Sequence, residues 1–193
     1  MSIVIIKYNA GNVRSVNVAL QRLAVEAVIT DDPKEISNAD KIIFPGVGAA
    51  APAMEYLQQK KLDVVIQQCK KPFLGICLGM QLLCDHSEEG DTPCLGVFSQ
   101  AVKKFITGEK VPQIGWNNIY DLRSSLFKGV DENLFMYFVH SYYAECGPNT
   151  IAKTNYGVEY SSGIQKDNFY AVQFHPEKSG NAGELILKNF LAL

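Results

Sequence analysis

The chain has 193 residues, of which 47% are hydrophobic and 20% charged, and a formal net charge of −2. That length buries a substantial core in a single domain, residues 1–193, and the composition is that of an ordinary globular protein. The near-neutral charge gives no reason to expect nucleic acid or an anionic membrane as a partner, and no apolar stretch is long enough to span a bilayer.

In chain order, "IVIIKY" (3–8) is a short apolar run rich in β-branched residues and reads as a first strand. The opening "MSIVIIKYNAGN" lacks the basic lead-in and the length of a signal peptide, which points to the cytoplasm. In "GNVRSVNVALQRLA", Val13, Val16, Leu20 and Leu23 recur at helical spacing. "EAVIT" (26–30) is a second strand, and "DDPKEI" starts a helix with acidic residues around a proline. "KIIFPG" (41–46) is a third strand cut off by Pro45-Gly46. One helical stretch is expected from about Ala50 to Cys69, followed by a fourth strand at "PFLGI" (72–76). Apolar runs alternating with helices predict an α/β fold with an open, largely parallel sheet covered on both faces.

The second half changes character. "QAVKKFI", "VPQIGWNNIY", "NLFMYFVHSYYAE" and "TIAKTNYGVEYSSGIQKDNFYAVQF" are strand-like pieces punctuated by Gly, Asn and Asp. They are expected to extend the sheet or to form a smaller antiparallel layer. "NAGELILKNFLAL" closes the chain as an amphipathic helix.

Five cysteines stand at 69, 77, 84, 94 and 146. An odd number without a secretion signal argues for reduced thiols over a disulfide framework. No C-x-x-C occurs, and the spacing of Cys77, Cys84 and His86 resembles no structural zinc site, so no metal and no cofactor are expected.

Cys77 is placed differently from the other four. It falls at a strand-to-helix junction, between Gly75 and Gly79, where open α/β sheets build their sites. Small residues there allow the sharp turn of a nucleophile elbow, with cysteine where hydrolases carry serine. A thiol at a helix start also faces the positive end of the dipole. Taken alone, the stretch is equally well read as a small buried cysteine at a turn.

A nucleophile needs a base, and the base needs a partner to orient it. His86, in "LLCDHSEEG", reads as a solvated or capping residue, and His140, in "FMYFVHSYY", as structural or pocket-lining. His175 ends a strand in "AVQFHPEKS". Pro176 biases it to extended backbone, which sets residues 175 and 177 on one side. His175 and Glu177 then supply a base and its orienting carboxylate. An incidental ion pair at an exposed turn is the bland alternative. The Leu78 amide and the glycine-bearing "FPGVGAA" loop (44–50) are candidate donors for a tetrahedral oxyanion.

"PGVG", "GICLGMQLL" and "QFHPEKS", in this order, resemble the class I (triad-type) glutamine amidotransferases. "YNAGNVRSV", "VPQIGWNNI" and "YFVHSYY" make the resemblance strongest to the branch that serves imidazole glycerol phosphate synthase in histidine biosynthesis. The resemblance implies a flavodoxin-like fold and a glutaminase in which Cys77 attacks glutamine, His175 is base and acid, and Glu177 orients it. It further implies oxyanion contacts at Gly46, Val47 and Leu78, and glutamine contacts at Gly48, Gln81, Glu89, Ser141 and Tyr142. Asn12, Trp116, Tyr137 and Lys178 match positions near the interface and ammonia path to a (β/α)8-barrel cyclase, the partner in a heterodimer.

The chain departs from the family pattern at Gln113, where "PHMGWN" is usual and "PQIGWN" stands. Two further readings stay open at this point. One is a paralogous glutaminase feeding another synthase, such as those making acetamidino sugars. The other is a non-catalytic flavodoxin-like binding module.

Overall fold

The computed structural model describes residues 1–9 and 12–193. Ala10 and Gly11, within the quoted "YNAGNVRSV", lie outside the described residues. The strands are β1 (Ile3–Ile6), β2 (Val28–Thr30), β3 (Lys41–Gly46), β4 (Phe73–Cys77), β5 (His86–Ser87), β6 (Thr92–Pro93) and β7 (Ala101–Lys104), then β8 (Gln113–Asn118), β9 (Phe135–His140), β10 (Tyr142–Ala144), β11 (Thr150–Asn155), β12 (Glu159–Lys166) and β13 (Phe169–Val172). The helices are α1 (Val13–Arg22), α2 (Pro33–Asn38), α3 (Ala50–Gln59), α4 (Leu62–Gln67), α5 (Leu78–Leu83) and α6 (Gly180–Leu191), with 3-10 turns at Ser125–Phe127 and Pro176–Lys178.

Strands β1, β3 and β4 are buried along their whole length, as apolar runs covered on both faces must be. With β2 and β13 they form a parallel core in the order β2-β1-β3-β4-β13. This is the flavodoxin-like order, in which sites form beyond the carboxyl ends of the strands. Antiparallel pairing through β12, β10 and β7 extends the sheet, with β11 against β12. Strands β8 and β9 form a separate antiparallel pair. The C-terminal strands thus do both things expected of them.

Helices α2 to α5 pack on one face of the sheet, and α1 and α6 on the other. The stretch read as one helix over residues 50–69 is two. It breaks at Lys61, which adopts φ 57°, and no glycine or proline announces that break. Strand β3 spans Lys41–Gly46, the bounds read from the sequence, and ends with Pro45-Gly46. Gly46 pairs in register with Cys77, which sets the glycine loop beside the elbow.

Close approach explains Gly79. A Cβ there would lie 1.9 Å from the carbonyl oxygen of Phe44, so only glycine lets α5 settle onto β3. That contact seats the helix that begins immediately after Cys77. Gly79→Ala is therefore expected to destabilise the fold by roughly 1–3 kcal/mol, the usual cost of overpacking, read from the urea midpoint of the purified variant.

Candidate active site

Four chain segments converge beyond the carboxyl ends of β3, β4, β9 and β13. Cys77 closes β4 and precedes α5 with φ 53° and ψ −109°, a conformation unfavourable for a residue with a side chain. The turn carries the thiol to the floor of a cavity of about 280 Å³ whose walls include Val47, Gly48, Gln81, Glu89, Ser141 and Tyr142. Leu78 opens α5, so its amide has no intrahelical acceptor.

His175 is wholly buried behind the thiol. Its Nδ1 lies 2.8 Å from Glu177 Oε1, and both side chains are sealed from solvent. The local geometry differs from the extended pairing expected of residues 175 and 177. His175 itself is extended, but Pro176–Lys178 forms a 3-10 turn, and the first turn folds the carboxylate back onto the ring. Proline suits such a first-turn position because its missing N–H has no partner to lose. Asn12 Nδ2 donates to the same Glu177 oxygen. The family resemblance puts Asn12 near an interface; its side chain reaches the carboxylate that orients the histidine.

Nε2 of His175 is buried without a hydrogen-bond partner. Burial alone lowers an imidazole pKa. Here the neighbouring Cys77, and then Glu177, overcome that effect and push His175 up to about 10. By contrast, burial pushes the thiols of Cys84 and Cys94 up, so both are held neutral.

Strand β9 holds Cys77 and His175 together. The Cys77 thiol donates to the carbonyl of Val139 (3.8 Å), and the amide of His175 donates to the carbonyl of Tyr137 (2.9 Å). Ser179 Oγ accepts from the Tyr137 amide and donates to the His175 carbonyl, closing the clamp. Glu89 caps α3 by accepting from the amide of Ala50 (2.8 Å) while lining the cavity.

Of the other two histidines, His86 stands apart from the cavity and His140 helps to line it. His86 sits in β5 at the far edge of the sheet, paired with Asp91. His140 is buried, with Nδ1 2.7 Å from the Tyr142 carbonyl and Nε2 3.3 Å from the Tyr160 hydroxyl. Gln113, at the position that departs from the family pattern, is also buried and meets the same hydroxyl at 3.0 Å. Trp116 and Tyr137 face each other across β8 and β9, and Lys178 Nζ lies 5.8 Å over the Tyr137 ring.

Two polar side chains at the site carry no sequence expectation. Gln173, wholly buried, directs Nε2 at Cys77 Sγ (3.6 Å). The available signal was its place two residues before His175, on the same side of an extended segment. The Tyr8 hydroxyl is buried without a partner against Gly46, and burial raises its pKa. Among the described residues no group of three or more His, Cys, Asp or Glu is arranged to hold a metal. No helix among them is long and apolar enough to cross a membrane.

The sequence matches the family Glutamine amidotransferase class-I over residues 4–193. It is 55% identical to the imidazole glycerol phosphate synthase subunit HisH of Bacteroides fragilis over 196 aligned positions, covering 100% of both chains. The protein of the same description from Yersinia pseudotuberculosis is 46% identical, again over 100% of both. Among solved structures, a glutamine amidotransferase from Thermotoga maritima superposes with a TM-score of 0.66 at 17% identity, covering 100% of this chain and 83% of that one. That likeness is one of fold. The chain belongs to the class-I glutamine amidotransferase family.

Buried His140 yields a stability prediction. Burial first, and the charge on His175 more weakly, lower its pKa to about 4 against the pull of the Tyr142 carbonyl. The unfolded chain, with an ordinary imidazole near 6.5, binds more protons between those values. Stability from this group is therefore complete above about pH 6.5 and is lost as pH falls towards 4, by roughly 3 kcal/mol at most. His140→Asn should flatten the dependence of urea-unfolding free energy on pH in that window relative to the parent; an unchanged slope would contradict this assignment.

Proposed function

We propose, on the premise of that family membership, that the chain is the glutaminase subunit of an imidazole glycerol phosphate synthase. The observation that carries this reading is the buried Cys77–His175–Glu177 cluster opening on a cavity sized for one small amino acid. The full-length similarity to subunits of that synthase supports the pathway. In this reading residues 1–193 act as one glutaminase domain, in the cytoplasm.

The chemistry follows from the donors and acceptors around the cavity. Both amide protons of Gln81 are committed, to the Tyr142 carbonyl (2.8 Å) and to Gln173 Oε1 (2.9 Å). Only its oxygen remains for a ligand, and with the Glu89 carboxylate it forms an acceptor pair suited to an α-ammonium group. Ser141 and Tyr142, with Gly48, take the α-carboxylate end. The side-chain amide of glutamine then points at Cys77.

The thiolate adds to the amide carbon, forming a C–S bond. Leu78 and the Gly46–Val47 backbone receive the resulting oxyanion. Protonated His175 gives its Nε2 proton to the nitrogen, and ammonia departs as the C–N bond breaks. The thioester is left on Cys77. Water, losing a proton to His175, attacks the same carbon and expels the thiolate. The sum is glutamine plus water to glutamate plus ammonia. Glu177 holds Nδ1 throughout, so that Nε2 always faces the sulfur.

Ammonia is passed to a (β/α)8-barrel cyclase, which uses it in forming imidazole glycerol phosphate and aminoimidazole carboxamide ribonucleotide. The docking surface lies on β8 and β9, where Ile114, Trp116 and Phe135 are 61%, 56% and 58% exposed. Large apolar groups in this number on one small sheet mark an interaction surface. Lys178 lies over the Tyr137 ring beside it.

Cys77→Ala is expected to abolish glutamate release while leaving the urea midpoint near that of the parent. Ammonium salts should restore the synthase reaction of the variant complex, since ammonia is the species transferred; glutamate release at the parental rate would rule out Cys77 as nucleophile. The isolated chain should be a poor glutaminase, gaining roughly 10²–10³ in rate when the cyclase and its nucleotide ligand complete the oxyanion site. A steady-state assay with and without the cyclase measures that gain.

A further inference from the structure

The Gln173 amide is oriented by a chain of contacts that leaves no freedom in its assignment. The carbonyl of Tyr142 can only accept, so the Gln81 atom 2.8 Å from it is nitrogen. That nitrogen carries a second proton, which is donated to Gln173 at 2.9 Å, so the receiving atom is Oε1. The remaining end of the Gln173 amide is therefore the NH2 group, and it lies 3.6 Å from Cys77 Sγ. Gln173 is wholly buried, and both amide protons of Gln81 are taken by protein acceptors.

We propose that Gln173 is a hydrogen-bond donor to the nucleophile, holding the Cys77 thiolate in place and favouring it over the thiol. This proposal rests on the glutaminase reading for its kinetic consequences, but not for the contact itself. As a thiol, Cys77 donates to the Val139 carbonyl. As a thiolate it has no proton to give, and sulfur turns from donor to acceptor. Gln173 faces it with an N–H that strengthens when the acceptor is charged. His175, whose Nε2 is buried without a partner, is the neighbouring charge that a thiolate at Cys77 would meet.

The same chain joins the nucleophile to the substrate end of the cavity. An ammonium group on Gln81 Oε1 polarises that amide, strengthens its donation to Gln173, and strengthens in turn the donation to sulfur. Occupation of the ammonium subsite is thereby reported to the thiolate through two side chains. A ligand lacking the α-amino group would fill the amide end without that signal.

The test compares Gln173→Met with Gln81→Met in the full chain. The first removes the donor to sulfur; the second removes the ammonium subsite and its link to Gln173 Oε1 but keeps the Gln173 amide itself. Cys77 alkylation by iodoacetamide is followed against pH, with the modified peptide identified by mass spectrometry so that the other four cysteines do not interfere. Expected for Gln173→Met is an alkylation profile displaced to higher pH and a kcat in the cyclase complex lower by roughly ten- to hundredfold, with KM nearly unchanged. Gln81→Met should raise KM and, by cutting the relay from the ammonium subsite to sulfur, lower kcat as well. An alkylation profile that stays at the parental pH, with Gln173→Met raising KM as Gln81→Met does, would reduce Gln173 to a prop for Gln81 and overturn the proposal. Gln173→Asn, which keeps an amide but withdraws its N–H from sulfur, gives the same reading if the methionine variant does not fold. Alkylation requires no glutamine, so a parent without glutaminase activity would refute the functional reading and leave this test intact.

Discussion

A carboxylate and an imidazole buried together, with neither side chain reaching solvent, form the contact on which the rest of the site depends. Desolvating such a pair is costly, and only tight geometry with further hydrogen bonds offsets it. Here Glu177 Oε1 receives both His175 Nδ1 and Asn12 Nδ2, while the 3-10 turn fixes the two side chains in one short segment. Other elements converge to keep that pair dry and aligned. Helix α6 begins directly beyond it, β9 grips the His175 amide, and Ser179 ties the turn back to both.

Strand β9 consequently has two duties. Its backbone touches the base through Tyr137 and the nucleophile through Val139, and its pairing with β8 presents Trp116 and Ile114 outward. A partner seated on that small sheet presses on the same strand that spaces the thiol from the imidazole. The two-stranded sheet has its own ladder, separate from the large one, and is tied to the segment after β13 through the His175 amide. In the docking proposed above, coupling between partner and site needs no long route: it crosses one strand.

Much of this was legible in the residues. The alternation of apolar runs with helical spacing gives the parallel core, because strands buried on both faces need continuous apolar sequence. Glycines around Cys77 and the His-Pro-Glu segment mark the chemistry, since each residue type has few other reasons to stand there. What escaped was set by tertiary context. Lys61 takes a left-handed conformation without glycine, so one helical stretch becomes two. The 3-10 turn at Pro176 brings Glu177 to His175 by a different route from the extended pairing that proline favours. Asn12 reaches the triad from the far end of the chain, a meeting that pattern along the sequence does not carry, whereas Gln173 stands two residues before His175, where an extended segment puts both on one side. His86, close to the elbow in sequence, belongs to a two-residue strand at the opposite edge of the sheet.

Trp116 is the chain's one tryptophan, half exposed on the small sheet with its ring edge-on to Tyr137. All indole emission therefore originates at a single point, and that point lies on the face where docking of a cyclase is proposed. Covering it with a partner surface replaces water with an apolar neighbour, which shifts the emission to the blue. The molecule thus carries its own optical reporter of assembly, free of any label, on the strand paired with the one that grips the nucleophile.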